Sequence, residues 1–207
     1  MLIDFRQLFP KYGINPKGVL HVGANRGEEF PVYMELGIKK QIWVEAHPII
    51  FQQLKVNVSD NPEAICWNAC IGDVNGKRVN FHVSNNGSQS SSILELGTHL
   101  TAHPEVRYIE DIEMKTVRLE KLLSDKFVNP SNYDFLNIDL QGAELLALKG
   151  LGDYIENFKW AYLEVNKDEL YKGCARVEEI DGYLTGFRRV ETCWAGSTGW
   201  GDALYIR

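Results

Sequence analysis

The chain has little of what marks a secreted, membrane-spanning or nucleic-acid-binding protein. No apolar run reaches the roughly 18 residues a bilayer span requires. The opening stretch MLIDFRQLFPKYG is interrupted by Asp4 and Arg6, so it has no continuous signal-peptide core, and a cytoplasmic location is expected. Basic residues do not cluster: Lys39-Lys40 and Arg188-Arg189 are isolated pairs in a chain of net charge −6. That balance disfavours nucleic acid and anionic membrane surfaces, whose binders gather Lys and Arg on one face. Cysteines are only four, Cys66, Cys70, Cys174 and Cys193, with no C-x-x-C, and read as free thiols in a reducing compartment. Cys66 and Cys70 with His99 and His103 pair a C-x3-C with an H-x3-H, but Pro104 disfavours helical geometry there, so no metal site is expected. Internal repeats, low-complexity linkers and the G-x-G-x-x-G fingerprint are also missing.

What the 207 residues do contain is an alternation of strand and helix patterns, in a length suited to one α/β domain spanning residues 1–207. GVLHVGA (18–24), QIWVEA (41–46) and AICWNACIG (64–72) read as buried strands. GEEFPVYMELG (27–37) and PIIFQQLKVNV (48–58) read as helices, with Pro31 and Pro48 in first turns. The alternation then breaks. GKRVNFHVS (76–84) has period-two apolar residues, and with strand three and the turn GDVNG it predicts an inserted hairpin; His82 is out of step with Phe81 and Val83 and faces the other way. NNGSQSSSILELG (85–97) is a polar loop, and MKTVRLEKLLSDKF (114–127) a short strand leading into a helix. YDFLNIDL, GAELLALKG, KWAYLEV and VEEIDGYLTGF continue the alternation, and RRVETCWAG with GDALYIR forms a terminal antiparallel pair. Strands joined by helices imply a doubly wound, mostly parallel sheet, here with an antiparallel edge.

Ligands in such sheets sit beyond the carboxyl ends of the strands. VLHVGANRGEE places Gly23 and Gly27 there as G-x-x-x-G, a loop suited to a cofactor without a pyrophosphate. Glu45 ends strand two, 22 residues past Gly23, where a carboxylate accepts ribose hydroxyls. Turn chemistry for the glycines and a solvent-facing strand end for Glu45 remain the plain alternatives. Cys70-Ile71, Asp139 and Glu164 fall near other strand ends, so one rim collects all of them.

VLHVGANRGEE, IWVEAHPIIFQQL, NACIGD, NNGSQSSSI, TVRLEKLL, NIDLQGAELLALKG and YLEV, in that order and spacing over residues 18–206, resemble the FkbM family of S-adenosylmethionine-dependent methyltransferases. The resemblance implies a Rossmann-like, seven-stranded class I methyltransferase domain. It implies Gly23, Asn25 and Gly27 along the methionine part of S-adenosyl-L-methionine, Glu45 on the ribose, and Ala46, Cys70 and Ile71 at the adenine. Asp139 would sit beside the methyl donor, and the loop carrying Asn85, Asn86, Ser90 and Ser91 would approach the acceptor. The implied reaction is O-methylation of a hydroxyl on a sugar-containing or other small-molecule acceptor, with Asp139 as base and Glu164 as second choice. Three positions depart from the family pattern: Asn137 for a common Lys, Gln141 for Glu, and His21 for Asp. Asn137 and Gln141 are expected to tune Asp139 in opposite directions. Glu144 is expected to cap its helix, or to join Asp139 and Glu164 as an oxygen ligand, although no spacing demands a metal. Trp194 and Trp200 are expected to be exposed and to line either an acceptor pocket or an interface, with the turn AGSTGWGD (195–202) covering the site. An NAD-dependent oxidoreductase and a non-catalytic cofactor-binding domain are the competing readings.

Overall fold

The computed structural model describes residues 2–207. Five strands lie parallel: β1 (Gly18–Val22), β2 (Lys40–Glu45), β3 (Ala64–Asn68), β7 (Phe135–Ile138) and β8 (Trp160–Asn166). β9 (Arg188–Trp194) and β10 (Trp200–Ile206) close the edge in antiparallel sense, giving the order β3-β2-β1-β7-β8-β10-β9. The expected seven-stranded sheet is therefore present. β1 and β7 are buried along their whole length, which is why GVLHV and FLNI read as nearly unbroken apolar runs rather than alternating ones.

Helices α2 (Phe30–Glu35), α3 (Pro48–Asn57), α5 (Leu119–Asp125), α6 (Glu144–Leu151) and α7 (Val177–Tyr183) cover the two faces. Pro48 opens α3 as expected, with His47 Nδ1 accepting from the Ile49 amide at 3.1 Å. An additional helix, α1 (Phe5–Tyr12), lies in the stretch read above only for targeting signals. Asp4 caps it, Gly13 ends it at φ 62°, and Phe5, Leu8 and Phe9 are buried. The Phe5 ring packs on those of Tyr33, Phe135 and Tyr162.

The insertion after strand three differs from expectation in its pairing. The chain leaves the main sheet at Ala69, and Cys70–Ile71 (β4) and Arg78–Ser84 (β5) both pair with Tyr108–Val117 (β6), giving a second sheet of order β4-β6-β5. β5 is thus a hairpin partner of β6, not of strand three. The alternation in β5 is as read: Phe81 and Val83 are buried, and His82 turns outward to Asp111 at 2.6 Å. One turn of helix, α4 (His99–Ala102), lies between β5 and β6. The helix stops before His103, the residue ahead of Pro104.

The sheet order reverses direction between β1 and β7, so their carboxyl ends form the switch point where open α/β sheets bind ligands. No helix among the described residues is long and apolar enough to cross a membrane.

Candidate active site

The segment leaving β1 turns sharply, with φ of 81° at Gly23, 43° at Asn25 and 76° at Gly27. Amides of Gly23 and Ala24 both donate to the carbonyl of Val44, at 2.9 and 3.0 Å, holding the turn against β2. A Cβ built on Gly23 would overlap the carbonyl oxygen of Asp139 on the neighbouring strand end, so only glycine lets the two backbones approach. Gly27 has a different task. It does not line the cavity described below, and a Cβ there would lie 2.8 Å from Leu54 Cδ1, so its lack of a side chain seats the turn on α3.

A cavity of about 480 Å³ opens over these strand ends. Gly23, Asn25, Glu45, Ala46, Cys70 and Ile71 line it, as do Asp139 and Glu164. The rim anticipated from the strand ends is therefore one continuous surface, and its volume is that of a pocket for a small organic ligand. Glu45 is buried, with Oε2 accepting from the Asn25 amide at 2.9 Å and Oε1 from the His47 amide at 2.7 Å. Both backbone bonds orient the carboxylate and leave it lone pairs for hydroxyl donors. Cys70 is not reactive: burial, then the nearby Glu45, pushes its thiol up to about 12.

Strand register sets the acids. Ile138 pairs with Leu163 and Glu164 with Asp202, so Asp139, Glu164 and Asp202 form a row across β7, β8 and β10. All three line the cavity. Gln141, at φ 52°, reaches back to this row: its Nε2 donates to Asp139 Oδ1 at 2.6 Å and to Glu164 Oε2 at 2.7 Å. Its Oε1 accepts from Tyr171 Oη at 2.5 Å, and its backbone carbonyl accepts from Ser92 Oγ at 2.8 Å. Asn137 does not share in this network. Its Nδ2 donates to Tyr33 Oη at 2.8 Å, under His21, so of the two neighbours expected to tune Asp139 only Gln141 touches it. His21 forms part of the cavity floor as expected, buried between Tyr33 and Trp43.

Glu144 closes the turn after β7, its Oε1 accepting from the amides of Leu140 at 2.8 Å and Gly142 at 3.1 Å. These bonds tie down the turn ahead of α6 and are not the helix cap expected from sequence, since its N-cap residue, Ala143, makes no side-chain cap bond. Oxygens of Asp139, Glu144 and Glu164 lie within 4.8 Å of one another, close enough to share a hard cation. Cys66, Cys70, His99 and His103 form no such group among the described residues.

The NNGSQSSS loop is knitted to itself. Ser84 Oγ donates to Asn86 Oδ1 at 2.6 Å, Asn86 Nδ2 donates to Ser90 Oγ at 2.9 Å, and Ser88 and Ser91 hydroxyls meet at 2.7 Å. Asn86, Ser90 and Ser91 line the cavity with these groups already paired. Asn85 lies outside it, bonded to the Arg107 amide and the Glu105 carbonyl at 3.0 Å each. Sequence reading missed the part of the lining made by His99, His103, Leu170 and Tyr171, which stands beside Trp200. Trp194 and Trp200 are half-buried rather than exposed, and Trp200 faces the cavity, consistent with a covering role for its turn.

Burial dominates the electrostatics. Glu29, Glu45 and Glu144 are each pushed up to about 7, and Asp139 and Glu164 are raised for the same reason, Glu164 well above the ordinary range with Asp139 adding like-charge repulsion. His21 is lowered to about 3, again by burial. Between about pH 4.5 and 7 the folded chain keeps carboxyl protons that the unfolded chain has lost, so these groups stabilise at low pH and lose that contribution as pH rises. His21 has the opposite sign: the unfolded chain takes a proton below its ordinary 6.5 that the folded chain refuses. His47 and His99 are lowered too, but five raised carboxyls outweigh three imidazoles, and exposed ion pairs contribute little. The melting temperature of the ligand-free chain is therefore expected to fall between about pH 5 and pH 7.5. A rise over that interval in a calorimetric series contradicts this balance.

The Methyltransferase FkbM domain matches residues 21–190. The chain belongs to the FkbM methyltransferase family. It is a methyltransferase, and the oxidoreductase reading falls with that assignment. The methyl donor of this family, S-adenosylmethionine, is its cofactor. Among curated proteins, the 2-O-methyltransferase NoeI of Sinorhizobium fredii is 27% identical over 179 residues, covering 83% of this chain and 72% of NoeI. Solved structures share the fold. A putative tRNA (m1A22) methyltransferase of Streptococcus pneumoniae, in complex with S-adenosyl-L-methionine, aligns with a TM-score of 0.53 at 15% identity, over 100% of this chain and 73% of that one. A methyltransferase of Aquifex aeolicus aligns with a TM-score of 0.50 at 17% identity, over 100% and 91% of the two chains.

Proposed function

We propose that this FkbM methyltransferase transfers the methyl group of S-adenosylmethionine to a hydroxyl of a sugar-type acceptor, with Asp139 taking the hydroxyl proton. The observation that carries this reading is the row of acids beside the glycine turn in one cavity, Glu164 and Asp202 buried and Asp139 half-buried. The resemblance to a 2-O-methyltransferase supports an oxygen nucleophile.

The pocket fits the cofactor by the chemistry of its residues. Glu45 is held by two backbone amides to receive the ribose hydroxyls, Ala46 and Ile71 present apolar surface to the adenine, and the Gly23–Asn25 backbone borders the methionine portion. When bound, the cofactor supplies an electrophilic methyl on a sulfonium. The protein positions the nucleophile and removes its proton. Asp139 accepts that proton, and its raised affinity for protons brings its basicity nearer to what neutral pH demands. Glu164 and Gln141 hold it in place: the Gln141 amide spans the two carboxylates and keeps both facing the cavity. Asp139 would hold the acceptor hydroxyl and take its proton as that oxygen accepts the methyl the bound cofactor would supply, the sulfonium leaving as a neutral thioether.

Glu45→Ala is expected to weaken S-adenosylmethionine binding by about 10- to 100-fold, the loss of hydrogen bonds to a charged acceptor. Isothermal titration measures it. Unchanged affinity removes Glu45 from the ribose site. Methyl transfer to a panel of glycosides tests the reaction itself. A cofactor-binding chain that methylates amines but no hydroxyl overturns the proposed acceptor atom.

A further inference from the structure

The charge and polarity of the cavity point to the kind of acceptor it takes. Seven carboxyl groups line it, with Glu28, Glu29 and Glu105 joining Glu45, Asp139, Glu164 and Asp202. Among the described residues, no lysine or arginine lines it. Arg26, the nearest candidate in sequence, is not among the lining residues; its guanidinium donates to Gln53, the Gly87 carbonyl and Asn25 Oδ1. An anionic ligand entering this space would lose its hydration and meet carboxyl groups, with no basic side chain to replace the water.

The wall opposite the cofactor residues is built for something else. α4 is anchored to the segment before α7: the amides of Gly97 and His99 both donate to the Leu170 carbonyl, at 2.7 and 3.2 Å, and Leu96, Leu170, Tyr171 and Cys174 form a small apolar cluster against which Trp200 packs. This wall is therefore tied down rather than free. Within it the His99 ring is wedged 4.9 Å from that of His103 and 5.4 Å from that of Tyr171. His99 is only 4% exposed, lines the cavity, and has no hydrogen-bond partner at Nδ1. Buried polar atoms are rarely left so, and the same ring borders the cavity, where a ligand hydroxyl can meet it. Burial, then the neighbouring His103, lowers the proton affinity of His99, so it presents a neutral imidazole and no positive charge for an anion. Trp200 and Leu170 supply apolar surface beside it.

We propose that His99, Leu170 and Trp200 form the acceptor subsite, that it takes an uncharged sugar-type ring with a hydroxyl on His99, and that the acidic cavity rejects the same ring carrying a phosphate or carboxylate. The inference rests on the methyltransferase reading of this site and narrows its acceptor. The Asn and Ser side chains of residues 85–91 are left as the frame of the cavity, since they already bond one another or neighbouring backbone.

The test uses three congeners, a methyl hexopyranoside, its 6-phosphate and its uronate, titrated into the full chain loaded with S-adenosylhomocysteine, with methyl transfer from S-adenosylmethionine measured in parallel. The neutral glycoside is expected to bind, and to exceed both anions by roughly 100-fold in affinity and in kcat/KM. His99→Gln is expected to raise KM for the neutral acceptor about 10-fold while kcat and cofactor affinity stay within about twofold, the signature of a lost ground-state contact. Equal or tighter binding of the phosphate or uronate overturns the charge selection, and an unmoved KM in His99→Gln overturns the subsite. If the cofactor binds and none of the three sugars does, the acceptor proposal fails and the methyltransferase reading stands. Failure of the chain to bind S-adenosylmethionine counts instead against that reading.

Discussion

Asp139→Asn is expected to lower kcat by roughly 10²- to 10⁴-fold, the range that a positioned proton acceptor contributes. The change keeps the shape of the side chain and an oxygen for Gln141 Nε2, which now lies 2.6 Å from Asp139 Oδ1. Cofactor affinity should therefore stay within about threefold, and the loss falls on the chemical step. The pH profile separates this from a structural effect. A base works only when ionised, and burial raises the proton affinity of Asp139, so the acidic limb of kcat/KM should lie above the ordinary aspartate range and vanish in the Asn variant. Glu164 offers the contrast. Burial and the like charge of Asp139 raise it well above the usual range, and Glu164→Gln keeps its shape and an amide or oxygen beside Gln141. That variant should cost less than about tenfold in kcat. Undiminished turnover in Asp139→Asn removes it as base, and a larger loss in Glu164→Gln exchanges the two roles.

Gly23→Ala is expected to be the most damaging small substitution in the chain, at about 4 kcal/mol or more of folding stability. Two penalties combine. The residue sits at φ 81°, where a side chain is strained, and its Cβ would overlap the Asp139 carbonyl. Relief requires the ends of β1 and β7 to separate, and Asp139 N currently donates to the Val22 carbonyl at 3.0 Å across that junction. Gly37→Ala is the control. Its φ of 76° is similar, but nothing lies within 4 Å of the added atom, so only the backbone strain of about 1–2 kcal/mol applies. Urea midpoints of the two variants compare them directly. Equal losses would mean that the close approach at the switch point is not what demands glycine.

Gly23, Glu45 and Asp139 are legible in the sequence because each follows from a local rule. A turn leaving a buried strand needs positive φ, an acid at the end of a buried strand needs a use, and their spacing fits a doubly wound sheet. The family resemblance adds the cofactor and assigns parts to residues that spacing alone could not, including Asn25 and Ala46. Gly27 shows the limit of such transfer: the same glycine pattern conceals one residue that opens onto the cavity and another that packs on Leu54. Asn137 shows another. It is two residues from Asp139 on the same strand, yet its amide turns to Tyr33 on a helix that no local pattern places beneath it.

By itself, then, the sequence determined the alternation of strands and helices, the glycine turn, the strand-end carboxylates and the absence of any basic face. These depend on side-chain period and backbone conformation, which act over a few residues. Tertiary structure decided which strand ends are neighbours. The row from Asp139 through Glu164 to Asp202 exists because β10 runs antiparallel beside β8 in one register, and a shift of one residue would turn Asp202 to the other face. The partner of β5 and the wall carrying His99 and Trp200 were decided in the same way, by contacts between segments far apart in the chain.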